Sequence, residues 1–280
     1  MTDKYSPVKG RLIIDNVPGM KGKKKNLTIA LSVQASEFPD RFYWAQEHNF
    51  ALEYTPDPLH PENIAGHVKP FIKEGIPVRF HCRFAVHELG NTDPVEAEHA
   101  LKTHIDVIDA MSGLGEPVVG VHLNLSQKVP FDEAAGERNL VRLVEYANKK
   151  QITVNLENLR RGPSSNPHNI AKWAAASGAM ITLDIGHAVE SEMVKSGELK
   201  TVDIIDLFSG RLNEVHMYGK ETDRHYPIEN MEQHGLFVDR LLPTRCEWWT
   251  IELDDFQEAL NTRRLLLEHI CKTTKIERKE

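Results

Sequence analysis

A chain of 280 residues, 40% hydrophobic and 27% charged, has the composition of an ordinary globular protein. It is long enough for one barrel-sized domain over residues 1–280, and no run of about 18 apolar residues offers a membrane span. A formal net charge of -7 argues against a dedicated nucleic-acid binder, although a cluster of metal-binding carboxylates would also produce it.

The polar start Met1-Thr2-Asp3-Lys4-Tyr5 lacks the apolar core of a secretory signal. Cys82, Cys246 and Cys271 form neither a CxxC pair nor a disulfide framework, so a reducing cytoplasm is expected. Residues 1–25 read as a lead-in segment. They hold the apolar run Leu12-Ile13-Ile14 and a basic turn with Lys21, Lys23, Lys24 and Lys25, expected to face solvent.

From there apolar runs and amphipathic stretches alternate. Strand-like runs lie at Leu27–Leu31, Phe50–Tyr54, Val78–His81, Val118–His122, Ile152–Leu156, Met180–Leu183, Glu214–His216 and Thr250–Leu253. Helix-like stretches follow at Pro39–His48, Ile64–Glu74, Val95–Leu114, Asp132–Lys149, Asn169–Ser177, Val202–Phe208, Met231–Leu242 and Asp255–Lys272. In the third, Leu101, Ile105, Ile108 and Met111 recur along one face, after the start signal Asp93-Pro94. Eight strand–helix units without a dividing linker predict an α/β fold, a (β/α)8 TIM barrel. The charged tail from Thr273 is expected to fray.

In such a barrel the active site lies at the carboxyl ends of the strands. The third run ends in His81, the fourth in His122, the fifth in Glu157, the sixth in Asp184 with His187 beyond it, the seventh in His216 and the eighth in Glu252. The loop after the seventh adds Asp223 and His225, two residues apart. One histidine at a strand end is usually a hydrogen-bonded core residue. Six successive ends are a pattern, and carboxylates gathered there need cations to offset burial. Mixed imidazole and carboxylate donors suit zinc, manganese or iron better than magnesium or calcium. Of the other histidines, His60, His67, His99, His104, His168 and His234 read as surface or capping residues.

These nine residues, in this order, resemble the ligand set of endonuclease IV, the apurinic/apyrimidinic endonuclease branch (family 2) of the xylose-isomerase-like TIM barrels. The resemblance runs from the first strand to the eighth. It implies a zinc centre of up to three ions: one held by His81, His122 and Glu157, a second by Glu157, Asp184, His216 and Glu252, a third by His187, Asp223 and His225. Glu157 and Glu252 would be the catalytic carboxylates. His81-Cys82-Arg83-Phe84 looks like the family's loop after the third strand, with Arg83 at a phosphate and Phe84 beside the DNA. The departures fall in loops: Asn158-Leu159-Arg160-Arg161-Gly162 replaces a small-residue stretch, Gly186 stands where the family has Cys, and the segment 217–222 is short.

The resemblance implies metal-dependent phosphodiester hydrolysis, with abasic duplex DNA as the substrate. Three divalent ions against four carboxylates would leave the site at about +2, attractive to phosphate. Arg83, Arg160, Arg161, Lys220 and Arg224 are candidate phosphate contacts, against the plain alternative of solvated surface. The runner-up is a sugar or sugar-phosphate isomerase or epimerase of the same superfamily, with one metal on Glu157, Asp184, His216 and Glu252 and two glutamates moving the proton. The acidic net charge and the aromatic content of 7% favour a small substrate. The other five ligands favour the hydrolase. A barrel that binds without catalysis is the third reading. Nothing in the sequence calls for a protein partner.

Overall fold

The computed structural model describes residues 7–20 and 23–277. Its strands are β1 (Arg11–Asp15), β2 (Lys25–Gln34), β3 (Ala51–Thr55), β4 (Val78–Cys82), β5 (Val118–Val121), β6 (Thr153–Glu157), β7 (Met180–Asp184), β8 (Leu212–Met217), β9 (Lys220–Glu221), β10 (His225–Tyr226), β11 (Trp248–Ile251) and β12 (Lys275–Glu277). The helices are α1 (Asp40–Glu47), α2 (Ile64–Lys73), α3 (Pro94–Met111), α4 (Glu133–Lys149), α5 (Pro167–Ser177), α6 (Ile185–Glu190), α7 (Glu192–Lys195), α8 (Thr201–Phe208), α9 (His234–Leu241) and α10 (Phe256–Thr273).

Strands β2 to β8 pair in sequence order, all parallel, and β11 closes the ring by pairing with both β8 and β2. The result is an eight-stranded parallel barrel wrapped by helices. Local chemistry sets the helix starts. Asp93, Asp132, Asn166 and Asp255 each accept a first-turn N–H, and Pro94 and Pro167 follow two of them.

The strand alternation explains where the site lies. Residues two apart point the same way. Leu156, Leu183, Val215 and Ile251, all buried, belong to the hydrophobic core. Their neighbours face inward in two polar layers: Asn155, Thr182, Glu214 and Thr250 below, Glu157, Asp184, His216 and Glu252 above. Hydrogen bonds across the barrel mark the lower layer. Thr250 Oγ1 donates to Glu214 at 3.0 Å, and the Asn155 amide donates to Glu214 and to Thr182, both at 3.3 Å.

Three expectations change. Lys25 opens β2 and is buried, its ammonium donating to the Thr244 carbonyl at 2.7 Å. It was expected in solvent; Lys21 lies outside the described residues. The tail does not fray at Thr273: α10 reaches that residue, and β12 pairs antiparallel with β1. His104 is buried on α3, where burial pushes its imidazole down to about 4. No helix among the described residues is long and apolar enough to cross a membrane.

Candidate metal centre

Of the nine expected ligands, all but Asp223 converge at the carboxyl end of the barrel. Glu157, ending β6, is the hub. Its Oε2 lies 3.2 Å from His81 Nε2 and 3.5 Å from His216 Nδ1, and its Oε1 lies 3.3 Å from His122 Nε2. His216 Nδ1 also faces Glu252 Oε2 at 3.3 Å and Asp184 Oδ2 at 3.9 Å. Asp184 caps α6, accepting the His187 backbone N–H at 2.7 Å, so the strand-end carboxylate both caps a helix and lines the site. His187 Nε2 reaches Glu221 Oε2 at 3.0 Å, and His225 Nε2 lies 3.9 Å from Glu221 Oε1.

Glu221 therefore occupies the place expected of Asp223. Residues two apart, such as Asp223 and His225, face one ion together only where the chain is extended. The chain instead folds a hairpin in which β9 and β10 pair, with His225 directly opposite Glu221. Opposed residues share a face. Asp223 sits at the exposed tip and accepts from Thr222 Oγ1 and Tyr226 OH.

The electrostatics follow from burial and charge. Burial pushes Glu157 up, but His216, His122 and His81 outweigh it and hold the carboxyl well below its usual range. Burial likewise opposes His225, His216 and Arg83 at Glu252, which also ends well below. Burial lowers His187, yet Asp184, Glu221 and Glu157 carry it up to about 10. Burial opposes Glu157 and Glu53 at His216, which is likewise pushed up, whereas burial lowers His122 and raises Asp184. A divalent cation can take the place of the protons that such a cluster holds. Glu157 Oε2, Asp184 Oδ2, His216 Nδ1 and Glu221 Oε2 are buried without a hydrogen-bond partner. Triads of donor atoms lie within 4.8 Å of one another in His81, His122 and Glu157, in Asp184, His216 and Glu252, and in His187, Glu221 and His225. The residues fit divalent metal.

Three further residues build the site, two of them without a sequence signal of their own. Asn158 clamps β6 to β7, donating to the Asp184 carbonyl at 3.0 Å and accepting the Asp184 N–H at 2.9 Å, while its own carbonyl faces His187 Nδ1 at 2.9 Å. Tyr218 donates to Asp184 Oδ1 at 2.7 Å and stacks on His225, with centroids 4.1 Å apart. Glu53, on β3, lies beneath His81 and His216. Its signal was legible: a lone carboxylate inside the buried run Ala51–Thr55.

The candidate substrate contacts divide. Arg83, Arg160 and Arg161 line a cavity of about 490 Å3 over the cluster, joined by Lys128. Arg83 Nη1 lies 3.3 Å from Glu252, and Arg160 donates to the Thr222 carbonyl at 2.8 Å. Arg224 is turned away into a two-pronged ion pair with Glu258 at 2.6 and 2.9 Å, and Lys220 lies over the Tyr226 ring. Phe84 was expected beside the substrate. It is buried instead, its ring 5.2 Å from that of His104 on α3.

Fold and site define a class: a parallel (β/α)8 barrel with histidine and carboxylate clusters that can hold divalent metal at its carboxyl rim. The chain belongs to the xylose isomerase-like TIM barrel family, whose sequence model matches residues 42–266. An uncharacterized protein of Methanocaldococcus jannaschii is 28% identical over 223 residues, covering 79% of this chain and 87% of its own. Among solved structures, a D-tagatose 3-epimerase-like protein matches with a TM-score of 0.71 at 17% identity, covering 88% of this chain and 97% of that one. Endonuclease IV from Thermus thermophilus matches with a TM-score of 0.64 at 15% identity, covering 87% and 99%.

Proposed function

We propose that the protein is a metal-dependent phosphodiester hydrolase of the endonuclease IV kind, acting at abasic sites in duplex DNA. The observation that carries this reading is the third triad. His187, Glu221 and His225 form a further donor group beside the Glu157, Asp184, His216 and Glu252 set, joined to it through His187, and a single-ion enzyme does not need Glu221 and His225 there. His81, His122 and Glu157 would hold one ion, Glu157 bridging to a second on Asp184, His216 and Glu252, and the third triad would hold another. The donors suit zinc, with manganese or iron as alternatives.

Bound ions would supply Lewis acidity toward a phosphodiester and neutralise its charge. The chain does the rest. Arg83, Lys128, Arg160 and Arg161 ring the cavity mouth and would draw a phosphate inward. Glu252, between His216, His225 and Arg83, is placed to hold a proton of the attacking water. A cavity of about 490 Å3 is of the size that takes a small ligand, here an extruded nucleotide. An abasic nucleotide has no base to unstack, so extrusion costs little.

An oligonucleotide duplex with one abasic site tests this. The zinc-loaded protein is expected to nick on the 5′ side of the lesion, with binding that weakens steeply as salt rises. Glu252→Gln is expected to lose roughly 10²-fold or more of the rate, the usual worth of a positioned acid or base. No cleavage, alongside turnover of a ketose, would overturn the DNA assignment.

The third triad carries its own prediction. Glu221→Gln should lower bound zinc by one ion per chain in elemental analysis, and Asp223→Asn should leave it unchanged. The opposite pattern would return the ligand role to Asp223.

A second reading is favoured by the compactness of Glu157, Asp184, His216 and Glu252 around one point, and by the resemblance to an epimerase-like structure. With one ion there, the two glutamates would exchange a proton at the carbon beside a sugar carbonyl. One tightly held ion per chain at saturating metal would favour it.

A further inference from the structure

We propose that Glu53 is a positioning residue that sets the ligand nitrogens of two histidines at once, His81 and His216, and so ties two of the ion sites together. The proposal rests on the multinuclear reading above.

Glu53 is the central residue of β3, a strand buried at every position. Tyr54, beside it, faces outward, its hydroxyl 2.9 Å from His67 of α2, so Glu53 faces into the barrel. Its Oε1 lies 3.0 Å from His216 Nε2, and its Oε2 lies 3.8 Å from His81 Nδ1. That second pair of atoms faces each other, and both are buried with no hydrogen-bond partner. Among the described residues these two histidines are the ion-pair partners of Glu53, and Glu214 also interacts with it.

A neutral imidazole has one N–H and one lone pair, and the partner of the N–H decides which nitrogen is free. With its Nε2–H on Glu53, His216 presents Nδ1, the atom that faces Glu157, Asp184 and Glu252. With its Nδ1–H toward Glu53, His81 presents Nε2, the atom that faces Glu157 and His122. The two histidines need opposite tautomers, and one carboxylate beneath them supplies both. Glu53 is the nearer carboxylate to His216 Nε2, at 3.0 Å against 4.0 Å for Glu214 in the next layer, whose carboxyl burial and Glu53 push up to about 8. Glu214 accepts from Thr250 and Asn155 and lies 3.4 Å from Arg79 Nη1.

A merely structural Glu53 would behave differently. Removing one partner of a buried ion pair lowers the stability of the metal-free protein, and a merely structural role ends there. Losing the carboxylate behind a ligand histidine commonly weakens metal about 10–100-fold. A structural role therefore moves the metal-free melting temperature alone, and a positioning role moves the metal affinity and the Co²⁺ spectrum as well.

The test is titration of the metal-free protein with Zn²⁺ and with Co²⁺, for wild type, Glu53→Gln and Glu53→Asp, with the melting temperature of each metal-free form. Glu53→Gln is expected to weaken two Zn²⁺ ions together by about 10–100-fold. It should also shift the visible Co²⁺ absorption, which a fall in the metal-free melting temperature alone does not do. Glu53→Asp keeps the charge and is expected to recover part of the affinity; it carries the test should the Gln variant not fold. Unchanged Zn²⁺ affinity and Co²⁺ spectrum would overturn the proposal. So would the loss of one whole ion with the others at wild-type affinity, which would make Glu53 itself a ligand. A wild type that takes a single ion fails the multinuclear reading and with it the tie between two sites. Weakening of that one ion in Glu53→Gln would then leave only the His216 half standing.

Discussion

Glu157→Ala is expected to remove two ions at once and to cost about 10³-fold or more in activity. Each ion in the proposed centre contributes several kcal/mol of charge stabilisation, and about 1.4 kcal/mol is a factor of ten in rate. Glu157 is the carboxylate at the centre of the cluster, within 3.5 Å of nitrogens on His81, His122 and His216. The metal-free protein should suffer too. Three buried imidazoles would lose the carboxylate between them, and breaking a buried ion pair from one side costs about 3–5 kcal/mol. That loss has a pH signature. The Glu157 carboxyl is held well below its usual range, so its stabilisation is present above the ordinary carboxylate pKa and fades as pH falls through the depressed value. The variant should therefore lose most stability near neutral pH and least in strong acid. Urea unfolding across pH, with elemental analysis of the loaded protein, measures both effects. Full zinc occupancy in Glu157→Ala would rule out the bridge.

The barrel was legible because its strands are short buried runs separated by helices with clear start signals. Asp93-Pro94 and Asp255 mark helices where α3 and α10 begin. The strand-end histidines and carboxylates were legible because a period of two leaves polar residues inside a barrel only where something satisfies them. What failed was local geometry. Asp223 and His225 have ligand spacing only if the chain is extended, and the turn between β9 and β10 reverses it, bringing Glu221 opposite His225. Phe84 follows a strand end as a substrate-side aromatic would, yet the side chain turns back onto α3. The cationic loops could not be sorted from sequence, since only the fold puts Glu258 within reach of Arg224 while leaving Arg83 at the cavity. Tyr218 went unremarked because its partners, Asp184 and His225, come from distant segments of sequence or from a loop of unknown course.

Gly186→Ala is expected to disable the site without touching a ligand. In the family resemblance this position is Cys; here it is the first turn of α6, and the Tyr218 ring lies against its Cα. A Cβ at 186 would overlap the ring edge and sit 2.7 Å from the tyrosine hydroxyl oxygen. Neither side can yield easily. Gly186 lies between Asp184 and His187 on a turn fixed by the Asp184 cap, and Tyr218 is fully buried. Overpacking of this kind costs about 1–3 kcal/mol. The larger consequence is functional. Displacing Tyr218 removes its hydrogen bond to Asp184 Oδ1 and its stack on His225, so residues assigned to two ions of the proposed centre move together. Metal affinity should fall about 10–100-fold at both, the usual effect of losing a group that orients a ligand. Tyr218→Ala alone should cost the hydrogen bond and the stack but open the space, so adding Gly186→Ala to it should cost little more. A double-mutant cycle on melting temperature and on Zn²⁺ affinity reads this directly, and neighbours in contact should show strong non-additivity. Additive losses would mean that Gly186 acts through the α6 backbone and that the glycine and the tyrosine are independent.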